Sequence, residues 1–319
     1  MGIKKFKIAF IGSGYMNIEH IKVFKALKNK FSVEGIISRK NITAKKVAQK
    51  FKIKNLCTSI EELYLSTKAD LVVIAVSETE IKKVCFEAFK YPWKIFIEKP
   101  IGKNLSEAQT IYNFAKKKRI LKDVVIALNR RNYVSTRETI KRLKSDSSKR
   151  YIQVFDQQDL DDPNVKKYPK SVRNNWMFKN PIHLIDYFKI FGRGKINFIK
   201  KFKIIKNNKL QISNAHIKFT SGDTGQYNSV WSMPGPWAVI VTTTHSRYEM
   251  RPLEILKYQK RGSRLFKNLK INYAKDKKFK AGLYNQALEV YSFLNKKKNN
   301  LVKIEESLSL MKLIDRIYT

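Results

Sequence analysis

Residues 7–17, KIAFIGSGYMN, decide the fold. A short apolar run ends in Gly12-x-Gly14, and Ile18, Ile21, Phe24 and Leu27 then recur at helical spacing. That pattern reads as a buried strand, a tight turn and an amphipathic helix. Gly12 permits the turn, and Gly14 lets the backbone approach a pyrophosphate. The helix N-terminus adds unbonded N–H groups and a partial positive charge, so an anion is expected against Gly12, Ser13, Gly14, Tyr15 and Met16. Asn17 stands where the third glycine of a dinucleotide fingerprint would be. By itself such a loop also fits an ordinary strand–helix turn.

The surroundings favour the dinucleotide. Apolar runs suited to buried parallel strands lie at 6–11, 32–37, 70–76, 94–98 and 123–128, with helical periodicities between them, such as Ala44, Val47, Ala48 and Phe51. Ser59 with Glu62, and Ser106 with Gln109, have capping-box spacing. The alternation predicts an α/β Rossmann domain over 1–122, with a doubly wound parallel sheet. From 123 to 319 the style changes. Strand patterns at 196–206, 210–219, 226–232, 236–244 and 247–251 predict an α+β domain with a large, mostly antiparallel open sheet. A helix over about 181–191 is expected to stop at Gly192 as its C-cap, and helices over about 282–296 and 304–317 close the chain. The last is expected to pack back near the Rossmann domain.

The second strand, VEGIIS at 33–38, ends in Ser38-Arg39-Lys40. An acidic residue at that point would hold the ribose 2′-OH of NAD, whereas a hydroxyl and two cations suit a 2′-phosphate. NADP is therefore expected in preference to NAD, with solvated side chains as the plainer reading of Arg39 and Lys40.

Composition limits the function classes. The 319 residues are 43% hydrophobic, enough for real cores, and no apolar run is long enough to span a membrane. In MGIKKFKIAFIG, basic residues precede an apolar stretch too short for a signal peptide, so a buried first strand is expected. Two cysteines and four scattered histidines offer neither a disulfide framework nor metal-ligand spacing, which fits a reducing cytoplasm. The net charge of +40 raises nucleic acid as a partner. The excess is mostly lysine spread along the chain beside Asn, Ile, Phe and Tyr, residues with AT-rich codons. Without aromatic-interleaved basic motifs, codon bias is the better explanation, and a general pull on anionic ligands remains.

Two further segments, DLVVIAVS at 70–77 and KIFIEKPIGKNLSEAQ at 94–109, closely resemble the Gfo/Idh/MocA oxidoreductase family. The Glu98-Lys99-Pro100 step is the most specific part. His20, Asn129-Arg130-Arg131, His183-Leu184-Ile185-Asp186, PLE at 252–254 and GLYNQ at 282–286 are similar to the same pattern. The resemblance implies hydride transfer between a nicotinamide and a carbinol or carbonyl carbon of a sugar, cyclitol or sugar nucleotide, for instance in surface-polysaccharide sugar synthesis. It implies a homodimer or homotetramer through the C-terminal sheet. It places Ala75, Val76, Ser77, Glu98, Lys99 and Asn129 at the cofactor, with a cis Lys99–Pro100 bond. Lys99 would steady a developing alkoxide and His183 would carry the proton, a satisfied semi-buried histidine being the plainer reading of its helix alone; Asp186, one turn on, would orient the ring or pack against the Rossmann domain. Arg130, Tyr133, Trp176, Asn180 and Tyr284, with Trp237, are the candidates for substrate contact; for each aromatic, core packing is the plainer reading.

The chain also departs from the family. Lys179 stands where relatives place an aspartate four residues before the histidine, so a cation should lower the proton affinity of His183 unless Asn180 substitutes. NNWMFKN replaces a glycine-rich lead-in, and Ile81 stands where relatives often carry a histidine. The competing readings are a non-catalytic dinucleotide-binding sensor or scaffold and, on charge alone, a nucleic-acid-associated protein.

Overall fold

The computed structural model describes residues 4–319; the first three residues of the basic lead-in lie outside the described residues. The chain divides into two units, one running up to Asn129 and resuming at Lys275–Leu308, the other comprising Arg130–Ala274 and Ser309–Thr319. The switch expected at 122/123 precedes the strand Val124–Ala127, whose pairing with the parallel sheet keeps it in the first unit.

In the first unit, β1 (Phe6–Ile11), β2 (Phe31–Ile37), β3 (Asn55–Cys57), β4 (Leu71–Ile74), β5 (Lys94–Glu98) and β6 (Val124–Ala127) form a parallel sheet in the order β3-β2-β1-β4-β5-β6. A short antiparallel strand, Val302–Lys303, adds to the β6 edge. Ile8, Phe10, Leu71, Val73 and Ile97 are wholly or almost wholly buried, as strands covered on both faces require. The register aligns Ile11 with both Ile37 and Ile74, and Ile74 with Ile97. The carboxyl ends of β1, β2, β4 and β5 are therefore level, and the loops that follow them share one edge. Strand β3, only three residues long, was too short to show as an apolar run. The helix Leu283–Leu294 contributes Leu283, Ala287 and Val290 to the same core as Phe10, Phe24 and Phe31, whose rings meet edge to face.

The Ser59 cap forms as expected, with the Glu62 N–H donating to Ser59 Oγ at 3.0 Å; the Glu62 carboxylate accepts from the Thr58 N–H at 2.7 Å. The box expected at Ser106 and Gln109 does not form. Helix Leu105–Lys117 begins earlier, so Ser106 already lies inside it. Asn104 is the cap instead, accepting from the Glu107 N–H at 2.9 Å.

In the second unit, β7 (Tyr151–Gln158), β8 (Ile196–Lys206), β9 (Lys209–Phe219), β10 (Thr224–Trp231), β11 (Ala238–Thr242), β12 (Ser246–Met250), β13 (Leu256–Lys260) and β14 (Lys267–Asn268) form one sheet. Its order is β14-β13-β12-β11-β7-β10-β9-β8, antiparallel throughout except between β7 and β10. Strand β7 is central to the sheet yet absent from the strands expected by pattern. Its buried positions are Ile152, Val154, Asp156 and Gln158, and the last two break the apolar alternation. Helix Ile182–Phe191 packs on β7. Gly192 ends that helix with φ −76°, so left-handed freedom is not what it supplies. A Cβ there would lie 2.3 Å from the Phe219 ring, and close approach is the reason for a glycine. The final helix, Ile304–Tyr318, crosses from the first unit into the second after Leu308.

Candidate active-site residues

The first unit gathers the expected cofactor residues at the level carboxyl ends of its strands. Gly12 has φ +104°, and a Cβ on it would lie 2.2 Å from the Ala75 carbonyl oxygen, so only glycine fits the turn. Around Gly14 nothing stands within 4 Å of where a Cβ would be, and no side chain caps the helix Tyr15–Ala26 that it opens. The protein does not need a glycine there for its own packing, and the open space leaves the helix N–H groups approachable. Asn17 replaces the third glycine by stapling the turn, since its Nδ2 donates to the carbonyls of Ile11 and Gly12, each at 2.8 Å. Ala75, Val76 and Ser77 follow β4, which neighbours β1 at the point where strand order reverses. Dinucleotides bind at such a switch point.

At the end of β2 three hydroxyls meet. Ser13 Oγ donates to Ser38 Oγ at 2.9 Å and lies 2.6 Å from Thr43 Oγ1, on the first turn of the helix Asn41–Phe51. Arg39 lies beside them, 71% exposed, with its Nη1 3.0 Å from Glu80 Oε1. Thr43 was missed in the sequence, although a hydroxyl on the first turn after Ser38-Arg39-Lys40 was there to be read.

Glu98, at the end of β5, is paired within the first unit. Its Oε1 lies 2.7 Å from His20 Nε2, both side chains are buried, and the Phe96 ring meets the imidazole edge-on. A carboxylate only accepts, so Nε2 donates. Glu98 is a brace beneath the turn that presents Lys99, and His20 is its partner. Lys99 itself is half-buried, and the Lys99–Pro100 peptide is cis. Asn129 is likewise engaged within the first unit, its Nδ2 donating to the Ala281 carbonyl at 3.0 Å. Tyr15 is exposed with Lys280 Nζ 5.4 Å from its ring, and Met16 packs against the core. Tyr284 stacks on Phe279 beneath Lys275, so it is tied to the core of the first unit. Ile81 is buried at the start of helix Ile81–Ala88.

The second unit assembles the rest around the start of helix Ile182–Phe191. His183 is buried there, its N–H donating to the Asn180 carbonyl at 3.2 Å. Asp186 is committed to Arg131 in a two-pronged ion pair, Nε to Oδ2 at 2.6 Å and Nη2 to Oδ1 at 2.5 Å. Lys179 places its ammonium 4.2 Å from the Tyr168 ring centroid and 5.8 Å from that of Trp176, where π-faces take up the charge. Trp176 Nε1 donates to Gln158 Oε1 at 2.9 Å, and Asn180 Nδ2 donates to the same oxygen at 3.0 Å. Gln158 Nε2 in turn donates to Asp156. Burial pushes the Asp156 carboxyl up to about 6, against the hydrogen bonds from Tyr227 and Gln158 and the nearby Arg130. Arg130 lies 4.5 Å over the Trp237 ring, and Trp237 donates to the Gln157 carbonyl at 2.7 Å. Tyr133 is buried at the start of helix Val134–Leu143. Asp156 and Gln158 carry this arrangement and were not singled out from the sequence; polar residues in an apolar strand pattern were the available signal.

Among the described residues no group of three or more His, Cys, Asp or Glu could hold a metal ion, and no helix is long and apolar enough to cross a membrane.

Residues 6–124 match a family model described as an oxidoreductase family with an NAD-binding Rossmann fold. No curated protein matches the sequence. Among solved structures, a dehydrogenase from Chromobacterium violaceum aligns over 99% of this chain and 95% of its own, at 15% identity and a TM-score of 0.82. The UDP-N-acetylglucosamine 3-dehydrogenase GnnA from Acidithiobacillus ferrooxidans aligns over 99% and 97%, at 14% identity and a TM-score of 0.76. A levoglucosan dehydrogenase in complex with NADH and levoglucosan aligns over 98% and 96%, at 14% identity and a TM-score of 0.78. At these identities the likeness is one of fold.

Proposed function

We propose, on the premise that residues 6–124 belong to the Gfo/Idh/MocA oxidoreductases as their NAD-binding Rossmann domain, that the chain moves a hydride between a nicotinamide dinucleotide and a carbinol or carbonyl carbon of a sugar, cyclitol or sugar nucleotide. The observation that carries the reading is the convergence of Gly12–Met16, Ser38–Arg39, Ala75–Ser77 and Glu98–Lys99 at the level ends of β1, β2, β4 and β5. Two solved structures of the same fold are named for UDP-N-acetylglucosamine and levoglucosan, which supports the sugar class.

The nicotinamide, when bound, supplies the hydride acceptor or donor. The protein supplies the rest. Helix N–H groups after Gly14 hold the pyrophosphate, and the Ser13, Ser38 and Thr43 hydroxyls with Arg39 suit a 2′-phosphate, so NADP is the preferred form. Lys99, set on a turn braced by the His20–Glu98 bond, donates to the carbinol oxygen and steadies its developing charge. His183 takes the hydroxyl proton or returns it. Asp186, one helical turn from His183, is held in place by the Arg131 guanidinium. Buried Cys57 and Cys85 thiols fit work in a reducing cytoplasm. Exposed Phe198, Phe202, Ile204 and Ile205 on β8 support a homodimer or homotetramer through the second sheet.

Absorbance at the reduced-nicotinamide band, with a panel of UDP- and GDP-sugars, inositol and free sugars, tests the reading. Turnover with one class is the expected result. Tight cofactor binding without turnover on any of them would mark a non-catalytic dinucleotide sensor instead.

A further inference from the structure

We propose that Gln158 is a positioning residue that locks the Asn180 carboxamide, so that Asn180 Oδ1 is held out as a neutral hydrogen-bond acceptor for a substrate hydroxyl. The inference rests on the oxidoreductase reading for its substrate class, and on hydrogen-bond polarity for everything else.

The polarity is fixed from the inside outward. Asp156 is fully buried on β7 and accepts from Gln158 Nε2 through one oxygen and from the Tyr227 hydroxyl, at 2.6 Å, through the other. A carboxylate cannot donate, so the NH2 end of Gln158 must face it. The carbonyl end of Gln158 then faces Trp176 Nε1 and Asn180 Nδ2, at 2.9 and 3.0 Å. An indole N–H only donates, so a flipped Gln158 would set two donors against each other at Trp176 and two acceptors against each other at Asp156. The same logic fixes Asn180. Its NH2 end is turned to Gln158, and Oδ1, the other corner of a planar amide, points away from β7. Asn180 is half-buried and joined to His183 by the backbone bond already described, so the acceptor is presented beside the proton-transfer histidine.

The arrangement also says why an amide stands at 180. An aspartate could not donate to Gln158 Oε1 and would face that oxygen with another. The chain thus keeps an acceptor next to His183 while leaving no carboxylate there to compete for the substrate proton. Protonation of Asp156 leaves the lock in place. The proton can sit on the oxygen facing Tyr227, with Tyr227 then donating to Tyr318 across 2.7 Å and Tyr318 to Ser229 across 3.4 Å. No heavy atom needs to move, and Gln158 keeps its acceptor.

The test uses the full chain with NADPH and three variants. Gln158→Met removes both ends of the lock at similar volume. Asn180→Ala removes the acceptor. The paired swap Asp156→Asn with Gln158→Glu exchanges the two groups and restores a donor for every acceptor. The amide placed at 156 donates to the carboxylate placed at 158, and its oxygen accepts from the Tyr227 hydroxyl. Trp176 and Asn180 then donate to that new carboxylate. Gln158→Met is expected to lower kcat/KM about 10-fold, with the NADPH dissociation constant within about twofold of the parent. In an Asn180→Ala background the same change should add less than about twofold, because it acts through Asn180. The swap should return kcat/KM to within about threefold. The side-chain amide resonances of Asn180, assigned by their loss in Asn180→Ala, should shift in Gln158→Met and return in the swap. An equal loss from Gln158→Met in both backgrounds, unmoved Asn180 resonances, or failure of the swap to restore either readout would overturn the proposal. If the parent chain turns over no sugar, the oxidoreductase reading fails alone, and the Asn180 resonances decide the lock.

Discussion

Replacing Asp156 by asparagine isolates the cost of keeping an ionised carboxylate inside the second unit. The side chain is 1% exposed, and burial lifts its carboxyl to about 6 despite the bonds from Tyr227 and Gln158. In the unfolded chain an aspartate titrates near about 3.9, so the folded state holds the proton about two units more tightly. The folded chain therefore binds more protons than the unfolded one between those values, and stability falls as pH rises through that window. At about 1.36 kcal/mol per unit, the wild-type chain carries a penalty of about 3 kcal/mol above about pH 6.5, and about 1 kcal/mol at about pH 4.5. Asparagine does not titrate, and it can still accept from one neighbour and donate to the other. Asp156→Asn should thus be more stable than the parent at about pH 8 by about 2–3 kcal/mol, with the gap shrinking by about 2 kcal/mol at about pH 4.5. Urea unfolding followed by tryptophan fluorescence is the assay, since Trp176, Trp231 and Trp237 all lie in the second unit. The gap corresponds to about 1 M in urea midpoint. A pH-independent gap, or a less stable variant at about pH 8, would refute the reasoning.

Other perturbations address the first unit. Gly12→Ala puts a Cβ 2.2 Å from the Ala75 oxygen at φ +104°, and should weaken dinucleotide binding more than about 100-fold by nicotinamide fluorescence; a change below about tenfold would sink the turn's role. Arg39→Ala should raise the NADPH dissociation constant about 10-fold and leave that of NADH unchanged, while Glu80→Gln, which removes a weak surface competitor for Arg39, should tighten NADPH. Equal effects on both cofactors would argue against a 2′-phosphate site. His20→Ala leaves the buried Glu98 without its donor and should cost about 3 kcal/mol in urea unfolding of the first unit. In a double-mutant cycle with Glu98→Ala the two losses should fall short of additivity by about 1 kcal/mol or more; full additivity would mean that the two side chains do not act as a pair.

The parallel half of the fold was legible because it is built from long apolar runs. Strands such as Phe6–Ile11 and Leu71–Ile74 are buried on both faces, so composition alone marks them. Asn55–Cys57 was too short for that signal, and Tyr151–Gln158 was hidden because Asp156 and Gln158 point inward where an apolar residue is the usual choice. The site followed the same division. Backbone demands, such as the turn at Gly12, leave glycines that can be read directly. Partnerships between residues far apart in the chain, such as His20 with Glu98, Arg131 with Asp186 and Gln158 with Asn180, leave no local pattern. Glu98 shows the difference plainly: its place in the motif could be read from the sequence, but its pairing with His20 could not.

The interrupted path of the chain through the first unit bears on how the protein is made. Leu283, Ala287, Val290 and Leu301 belong to the core that β1 and β2 begin, and Val302–Lys303 closes the β6 edge. A ribosome therefore releases the opening strands long before the residues that complete their packing, with the whole of Arg130–Ala274 synthesised in between. Until helix Leu283–Leu294 and the strand Val302–Lys303 emerge, the nascent parallel sheet lacks one wall and one edge. A chain cut at about residue 270 would thus lose more than its tail: it would leave the glycine turn on a sheet whose core is open to water, and such a fragment should be captured by chaperones rather than bind a dinucleotide.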